Sequence, residues 1–540
     1  MEEKKTTKSF VGGAALLGAA GLISKLLGAC FRIPLANIIG DNGMGYYQTA
    51  YPIYIGLLSI SSTGLPTAIS RMVAERRAQG NYQESQRVYK LSMRVMIAIG
   101  LVTGVSLAVF APQICRYIEE PDAVYCMYSL APALIFCPII SAIRGYFQGQ
   151  QNMKPTAISQ VIEQIFRVGI GIILAILLLK KGLPQAAAGA TFGASAGGLF
   201  ALLFMILAIS RQKAKRKEEL ELPYDGPVAG SGAIIKEMFG IAIPITLGSL
   251  IMPIINTIDT VIVKSRLVSI GYDSVTARSM FGQLSGMASP IINLPDAVTA
   301  AVCMSLVPVI ADARKRSEEA SVKSNTQLAV RYAAIAGVPC AIGIFVLAKP
   351  IMLMLYTRQQ TAALGAAGCL RAYAAGVFFL AIHQAMSGVL QGIGKQNLPV
   401  INLLVGAVVK IFATYTLCSI PAINVKGAAY GTVIAYAIAA FLSYLSVKKH
   451  TGVEFNLNLC FVRPIISGAV MGVIVWLVFH AAEGHFGNSV STLLAVAGGV
   501  LVYVIMIFAT KTITVDDLRG VKKLEKLTNL LDKVRPSGKM

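Results

Sequence analysis

Gly145-Tyr146-Phe147-Gln148-Gly149 and Gly388-Val389-Leu390-Gln391-Gly392 lie about 243 residues apart and share one pattern. The first runs through a short polar turn to Pro155 and into an apolar segment. The second does the same through Gly394-Lys395-Gln396-Asn397 to Pro399. Upstream, Leu65-Pro66-Thr67 answers Val307-Pro308-Val309, each followed by a basic loop, and Phe136 answers Phe379. Four matches in constant order inside an apolar chain predict two similar half-bundles that enclose a site and rock about it, as membrane transporters do.

Composition sets the solvent. The 540 residues are 55% hydrophobic and 14% charged, with mean hydropathy +0.66, whereas soluble domains carry about 25% charged residues. Apolar runs of about 20 residues cross a bilayer core as helix. Such runs fall near 10–30, 46–70, 91–111, 124–147, 156–179, 186–209 and 234–263. They continue near 279–310, 326–348, 366–392, 399–420, 427–447, 462–480 and 489–510. The pattern predicts an all-α integral membrane protein of about 14 transmembrane helices, with no alternating pattern to suggest a β-barrel.

The formal charge of +22 falls in alternate loops, at Arg71/Arg76/Arg77/Arg87, Arg211/Lys213/Lys215/Arg216/Lys217, Arg314/Lys315/Arg316/Lys323 and Lys448/Lys449. The intervening loops are poor in Lys and Arg, and one holds Glu119, Glu120 and Asp122. That asymmetry is the positive-inside signature and predicts a plasma-membrane protein with both termini in the cytoplasm. It also argues against nucleic acid as the partner. Leu27-Gly28-Ala29-Cys30 looks like a lipoprotein cleavage site, but Lys25 interrupts the apolar stretch and the span continues, so the segment reads as an uncleaved first helix. The nine cysteines stand mostly singly without a C-x-x-C pair, and the four histidines are scattered, so no metal site is expected.

The organisation follows from the repeat. Residues 1–210 form an N-terminal six-helix lobe and 211–232, charged and then rich in Pro and Gly, a cytoplasmic linker. Residues 233–447 form a C-terminal six-helix lobe, 448–510 two additional spans, and 511–540 a basic tail. Because each half has an even number of spans, the two repeats are parallel. Val515, Leu518, Val521, Leu524, Leu527 and Leu531 make the tail an amphipathic helix suited to the anionic inner leaflet. Prolines such as Pro34, Pro290, Pro295 and Pro308 mark bends, and the first and eighth spans are the candidate moving elements.

Charges within spans cost about 2.5–3.5 kcal/mol each on insertion scales, so each needs a reason. Lys264 and Arg266 lie near a span end and read as snorkelling to the outer interface, and Arg144 reads likewise at the cytoplasmic end. Glu163 and Arg167, four apart on one face, pair with each other or serve a site. Arg32 precedes Pro34 and the polar outer turn Gly40-Asp41-Asn42-Gly43, and Lys25 sits two helical turns earlier on about the same face. Two cations there suit an anion, and Arg binds phosphate in bidentate fashion. Asp259 is either a counter-charge or a ligand for a coupling ion.

At these residues the chain resembles the multidrug/oligosaccharidyl-lipid/polysaccharide flippase superfamily, and within it the stage V sporulation protein B and lipid II flippase-like group. The resemblance rests on Ser24-Lys25-Leu26-Leu27-Gly28 with Arg32 and Pro34, and on Gly40 to Tyr47. It extends through Arg144 to Gln148 and Gly149, then Met153-Lys154-Pro155, Ser159-Gln160, Glu163-Gln164 and Arg167. It implies two six-helix lobes around a cavity, with the last two spans forming a groove for a lipid tail. Lipid II flippases carry further cavity arginines on the second and eighth spans, where this chain has Ser59, Ser61 and Ser62, and Gln283.

The expectation is therefore a flippase, not an enzyme, that moves an undecaprenyl-diphosphate-linked sugar outward. Lys25, Arg32, Arg144, Gln148, Glu163 and Arg167 are the substrate-binding candidates. Asp259 and Glu163 are the candidates for a Na+ or H+ coupling ion. Beyond the lipid-linked sugar and membrane lipid, cell-wall synthesis proteins are candidate partners, and sporulation is a candidate setting. A cation-coupled multidrug exporter is the alternative, which the positive excess disfavours. A membrane enzyme would need a carboxylate cluster, and Asp516-Asp517 stands alone in the tail.

Overall fold

The computed structural model describes residues 2–224, 226 and 229–513. The amphipathic tail expected at 515–534 lies outside the described residues. The described chain is helical throughout, without strands. In order the helices are α1 Glu2–Ser62, α2 Gly64–Ala78, α3 Tyr82–Tyr117, α4 Val124–Gly149, α5 Lys154–Leu178, α6 Leu183–Arg211, α7 Lys213–Glu221 and α8 Ser231–Ser269. There follow α9 Ser274–Phe281, α10 Ser289–Lys315, α11 Glu319–Leu355, α12 Gln360–Gly392, α13 Asn397–Cys418, α14 Lys426–Thr451 and α15 Arg463–Ala509.

Among the described residues 11 helices are long and apolar enough to cross a membrane. Two of them are double. α1 breaks at Gly40 (φ 68°, ψ −177°) and α15 at Gly487 (φ 72°, ψ 170°). Both are left-handed φ values that a side chain resists and glycine accepts. Splitting these two and adding α10 brings the spans to the expected set. The turn read at Gly40-Asp41-Asn42-Gly43 is thus a one-residue corner, with helix resuming at Asp41. The eighth span is interrupted by a π-helical turn at Gly282–Ala288, which no periodicity in the sequence announces.

The chain forms two compact units. One comprises residues to Leu294 with Tyr356–Ala366 and Ile411–Ala428; the other comprises Pro295–Leu355, Ala367–Lys410 and the described residues from Ala429. In the first unit α5 packs on α6, α6 on α4, α4 on α3 and α1 on α5. Helices in lipid associate by close backbone approach of small residues rather than by apolar burial. Gly189, Gly193 and Gly197 form such a stripe on α6. A Cβ on Gly193 would strike the Arg167 carbonyl, and one on Gly197 the Glu163 carbonyl. Pro132 bends α4, and Ser195 of α6 fills the opening: its Oγ accepts from the Ala133 N–H at 3.1 Å and donates to the Ser129 carbonyl at 2.5 Å. Prolines survive in spans where a neighbour satisfies the freed backbone in this way.

The doubled element is a doubled packing. Gly145 and Gly149 of α4 lie against α2, where a Cβ would sit 2.8 Å from the Pro66 carbonyl oxygen and 2.6 Å from the Val73 Cβ respectively. In the second unit Gly392 of α12 lies against α10 in the same way, 2.9 Å from Ile310 and 3.1 Å from the Val307 carbonyl oxygen. The expected linker, 211–232, carries α7. It is tied down by Glu219, which accepts two hydrogen bonds from Arg77 at 2.9 and 2.7 Å, and by Arg216, which donates to Gln86.

Candidate functional site

The α6 glycine stripe presses α5 close and fixes which way its charged turn faces. Glu163 and Arg167 sit on the α5 turns whose carbonyls meet that stripe. Glu163 does not pair with Arg167, as their spacing suggested. Its Oε2 accepts from Nη2 of Arg144 on α4 at 3.0 Å, and Arg144 Nε donates to Ser159 Oγ at 2.9 Å. Their side chains are 15% and 20% exposed, so Arg144 is held inside the bundle instead of snorkelling to the interface. An inter-helix partner replaces the intra-helix one because the α4–α5–α6 packing brings Arg144 over that face of α5.

Arg167 turns instead to α1. Its Nη2 donates to the Tyr51 hydroxyl at 2.6 Å, and its guanidinium carbon lies 5.3 Å from the centre of the Tyr51 ring. Arg32, also on α1, places its guanidinium carbon 5.7 Å from the same ring. Tyr51 stacks on Tyr47 with centroids 5.3 Å apart and meets Tyr54 at 5.9 Å. An electron-rich ring within about 6 Å of two guanidiniums attracts both. Among the described residues neither Arg32 nor Arg167 has a carboxylate within ion-pair distance. Nearby in sequence, Ser24 Oγ on α1 and Gln160 Oε1 on α5 are buried without a hydrogen-bond partner. The cluster offers a surplus of positive charge, which is what an anionic headgroup requires.

The other candidates are placed as follows. Gln148 lies one turn beyond Arg144 on α4, and its carbonyl accepts from the Gln151 N–H in the turn that follows. Asp259 is half-buried on α8, within electrostatic reach of Cys418. The side chain of Lys25 lies outside the described residues. Tyr51 was not anticipated, since single aromatics in spans read as packing. The signal available was Tyr47, Tyr51 and Tyr54 at one helical spacing beside Arg32.

Lys264 corrects a second expectation. Rather than reaching for the interface, it is buried with 7% of its side chain exposed. Its Nζ donates to Thr49 Oγ1 at 2.6 Å and to Glu120 Oε1 at 3.3 Å. Glu120 also accepts from Arg278 Nη1 at 2.7 Å, and Arg278 covers the Tyr46 ring at 4.1 Å. Asp41 accepts from Ser279 and from Gln283 Nε2 at 2.7 Å. A buried carboxylate with two cationic donors removes any need for the lysine to reach water. This network joins α1, α8 and α9 near the N-terminal end of α4, whereas Arg144 lies near its C-terminal end.

In the second unit a wholly apolar groove of about 320 Å³ runs between α11, α12 and α15, lined by residues that include Ala341, Phe345, Ala374, Phe378 and Ile465. The resemblance implied a groove at the last two spans; this one includes α15 and is the right chemistry for a hydrocarbon chain.

Residues 10–314 match the profile of the family described as polysaccharide biosynthesis protein, and residues 244–416 match that described as MatE. The chain is 26% identical over 526 residues to stage V sporulation protein B of Bacillus subtilis (strain 168), covering 96% of this chain and 99% of the relative. It is 26% identical over 513 residues to lipid II flippase MurJ of the same organism, covering 91% and 93%. Among solved structures, lipid II flippase MurJ in an inward closed conformation aligns with TM-score 0.68 at 18% identity, covering 91% of this chain and 98% of that one. An inward-facing multidrug resistance MATE family transporter of the MOP superfamily aligns with TM-score 0.65 at 15% identity, covering 79% and 94%. The chain is a multi-pass membrane protein and belongs to the polysaccharide biosynthesis protein family, within the multidrug/oligosaccharidyl-lipid/polysaccharide flippase superfamily.

Proposed function

We propose that the chain moves an undecaprenyl-diphosphate-linked sugar, a precursor of peptidoglycan or another envelope polysaccharide, from the inner to the outer leaflet of a bacterial plasma membrane. The observation that carries this reading is the convergence of Arg32 and Arg167 on Tyr51 without a carboxylate partner. A diphosphate is too polar to cross hydrocarbon alone, and paired guanidiniums replace its hydration. The groove between α11, α12 and α15 suits the isoprenoid chain. A potential negative inside assists outward movement of an anion by about 2.3 kcal/mol per charge per 100 mV. The relatives named for sporulation and for lipid II support the substrate class. Both termini are cytoplasmic in this reading. Of the two candidates for a coupling Na+ or H+, Asp259 suits the role better than Glu163, whose carboxylate already carries the Arg144 guanidinium.

A multidrug exporter of cationic compounds needs an acidic cavity, and the charge here has the opposite sign. The test uses purified full-length protein in proteoliposomes with a fluorescent undecaprenyl-diphosphate sugar, measuring how much label a membrane-impermeant quencher reaches with time. Alanine at Arg32 and at Arg167 lowers flipping at least about tenfold, the equivalent of 1.4 kcal/mol. Unchanged flipping in both variants overturns the reading.

A further inference from the structure

The second unit holds a titratable side chain that the anion site does not use. His383 lies on α12 with 6% of its surface exposed. Its Nδ1 is 3.1 Å from Ser443 Oγ on α14, its Nε2 is 3.4 Å from Ser387 Oγ, and the Ala439 carbonyl hydrogen-bonds the ring. Asn402 Nδ2, on α13, donates to Ser443 Oγ at 3.1 Å and to Ser446 Oγ at 3.3 Å. The Ser446 carbonyl in turn lies 2.8 Å from Nδ1 of His450. Polar groups therefore run along one face of α14 from the buried ring to the helix end, where Lys448, Lys449 and His450 close the last turn. Ser443 is buried, and Ser446 and His450 are half-exposed.

A neutral imidazole needs one donor and one acceptor, whereas an imidazolium needs two acceptors. The hydroxyls of Ser443 and Ser387 and the Ala439 carbonyl are all able to accept, so the shell accommodates both forms. Among the described residues no carboxylate lies within ion-pair distance of the ring. On its own helices the charged residues are Arg371, Lys410, Lys426, Lys448 and Lys449, all of them cations. On the neighbouring helices, Asp296 of α10 is engaged by Gln384, and α11 carries Glu319, Lys323, Arg331 and Lys349. A proton here is solvated but not trapped, the condition for a site that loads and empties within a cycle. Ionisable groups inside spans are costly and are found where ions or protons move, and histidine is the side chain that titrates near neutrality.

We propose that His383 is a proton-binding site, loaded along α14 from the end that carries His450 and coupled to transport. The coupling rests on the flippase reading; the proton binding does not. Full-length protein labelled with 15N-histidine in nanodiscs, with His383→Gln to assign the signal, shows one buried imidazole titrating between pH 5 and 8. In proteoliposomes, wild-type flipping changes at least about fivefold over that range, and His383→Gln varies less than about twofold. His480→Gln, an exposed histidine on α15, keeps the wild-type profile. Asn402→Leu, which removes the competing donor to Ser443 and leaves the imidazole in place, shifts the titration midpoint and so tests the site without replacing the histidine. A His383 signal that does not titrate overturns the proton site. A titrating signal with an unaltered pH profile in His383→Gln overturns the coupling. A titrating signal with no flipping by any variant upholds the proton site and removes the flippase reading instead.

Discussion

The two copies of the Gly-x-x-Gln-Gly element keep the same packing and carry opposite chemistry. In the first, Arg144 on α4 reaches Ser159 and Glu163 on α5. In the second, the position answering Arg144 is Ser387, beside His383 and, on the next helix, Asn402. Fixed charge stands in one copy and a neutral, titratable cluster in the other. The glycines are placed differently as well. In the first copy Gly193 and Gly197 of α6 meet the α5 backbone at Arg167 and Glu163, which keep their large charged side chains. In the second, the small residue has moved to Gly406 on α13, where a Cβ would strike the Ala435 carbonyl of α14. Ala407, next to that contact, aligns near Glu163, and α13 keeps a basic residue at Lys410.

The largest effect comes from forcing the first pattern onto the second copy. Gly406→Glu places both a side chain and a charge at a backbone contact. Overpacking costs about 1–3 kcal/mol and a mid-span charge about 2.5–3.5 kcal/mol. Little folded protein should be recovered, read as the yield of monodisperse protein in detergent. Next is the reverse exchange, Arg167→Ile, which gives α5 the residue near the matching position, Ile411. The fold survives, because Arg167 bonds a hydroxyl and not a carboxylate, but flipping falls at least about tenfold as one of the two guanidiniums is lost.

How much of this was legible in the sequence depends on the range of each interaction. The spans were, because hydropathy over about 20 residues is a local property. The repeat was, because glycine and proline mark backbone contacts that both copies must make. Arg32, Arg144, Glu163 and Arg167 stood out one by one as costly charges, yet their partners did not. The i,i+4 rule paired Glu163 with Arg167, whereas helix packing paired it with Arg144, a contact set by glycines thirty-odd residues downstream on α6. Lys264 failed for the same reason, since Glu120 and Thr49 come from distant segments. The π-helical turn at Gly282–Ala288 left no mark in composition at all.

A third exchange measures how far the Arg144–Glu163 pair supports the fold. Arg144→Ser restores the second copy's residue and strands Glu163. Breaking a fully buried pair costs 3–5 kcal/mol; with the side chains 15% and 20% exposed, solvent reduces that to about 1–2 kcal/mol. The thermal midpoint drops accordingly, and adding Glu163→Ala recovers most of the loss, because the uncompensated carboxylate rather than the missing bond is the main cost. A double variant as unstable as the sum of the two singles would show that the residues act independently.

The smallest effect separates ring from hydroxyl at Tyr51. Its hydroxyl takes one of the five N–H groups of the Arg167 guanidinium. Its ring serves both Arg32 and Arg167. Tyr51→Phe therefore keeps the electrostatic platform and removes only the bond that aims Arg167. The loss is about 1 kcal/mol, a roughly fivefold slowing of flipping, smaller than for Arg167→Ile. Tyr51→Leu removes the platform as well and should approach the arginine variant. If Phe and Leu slow flipping equally, the ring contributes nothing. The two arginines are then held by the bundle alone, and the asymmetry between the two copies reduces to charge without the aromatic bed beneath it.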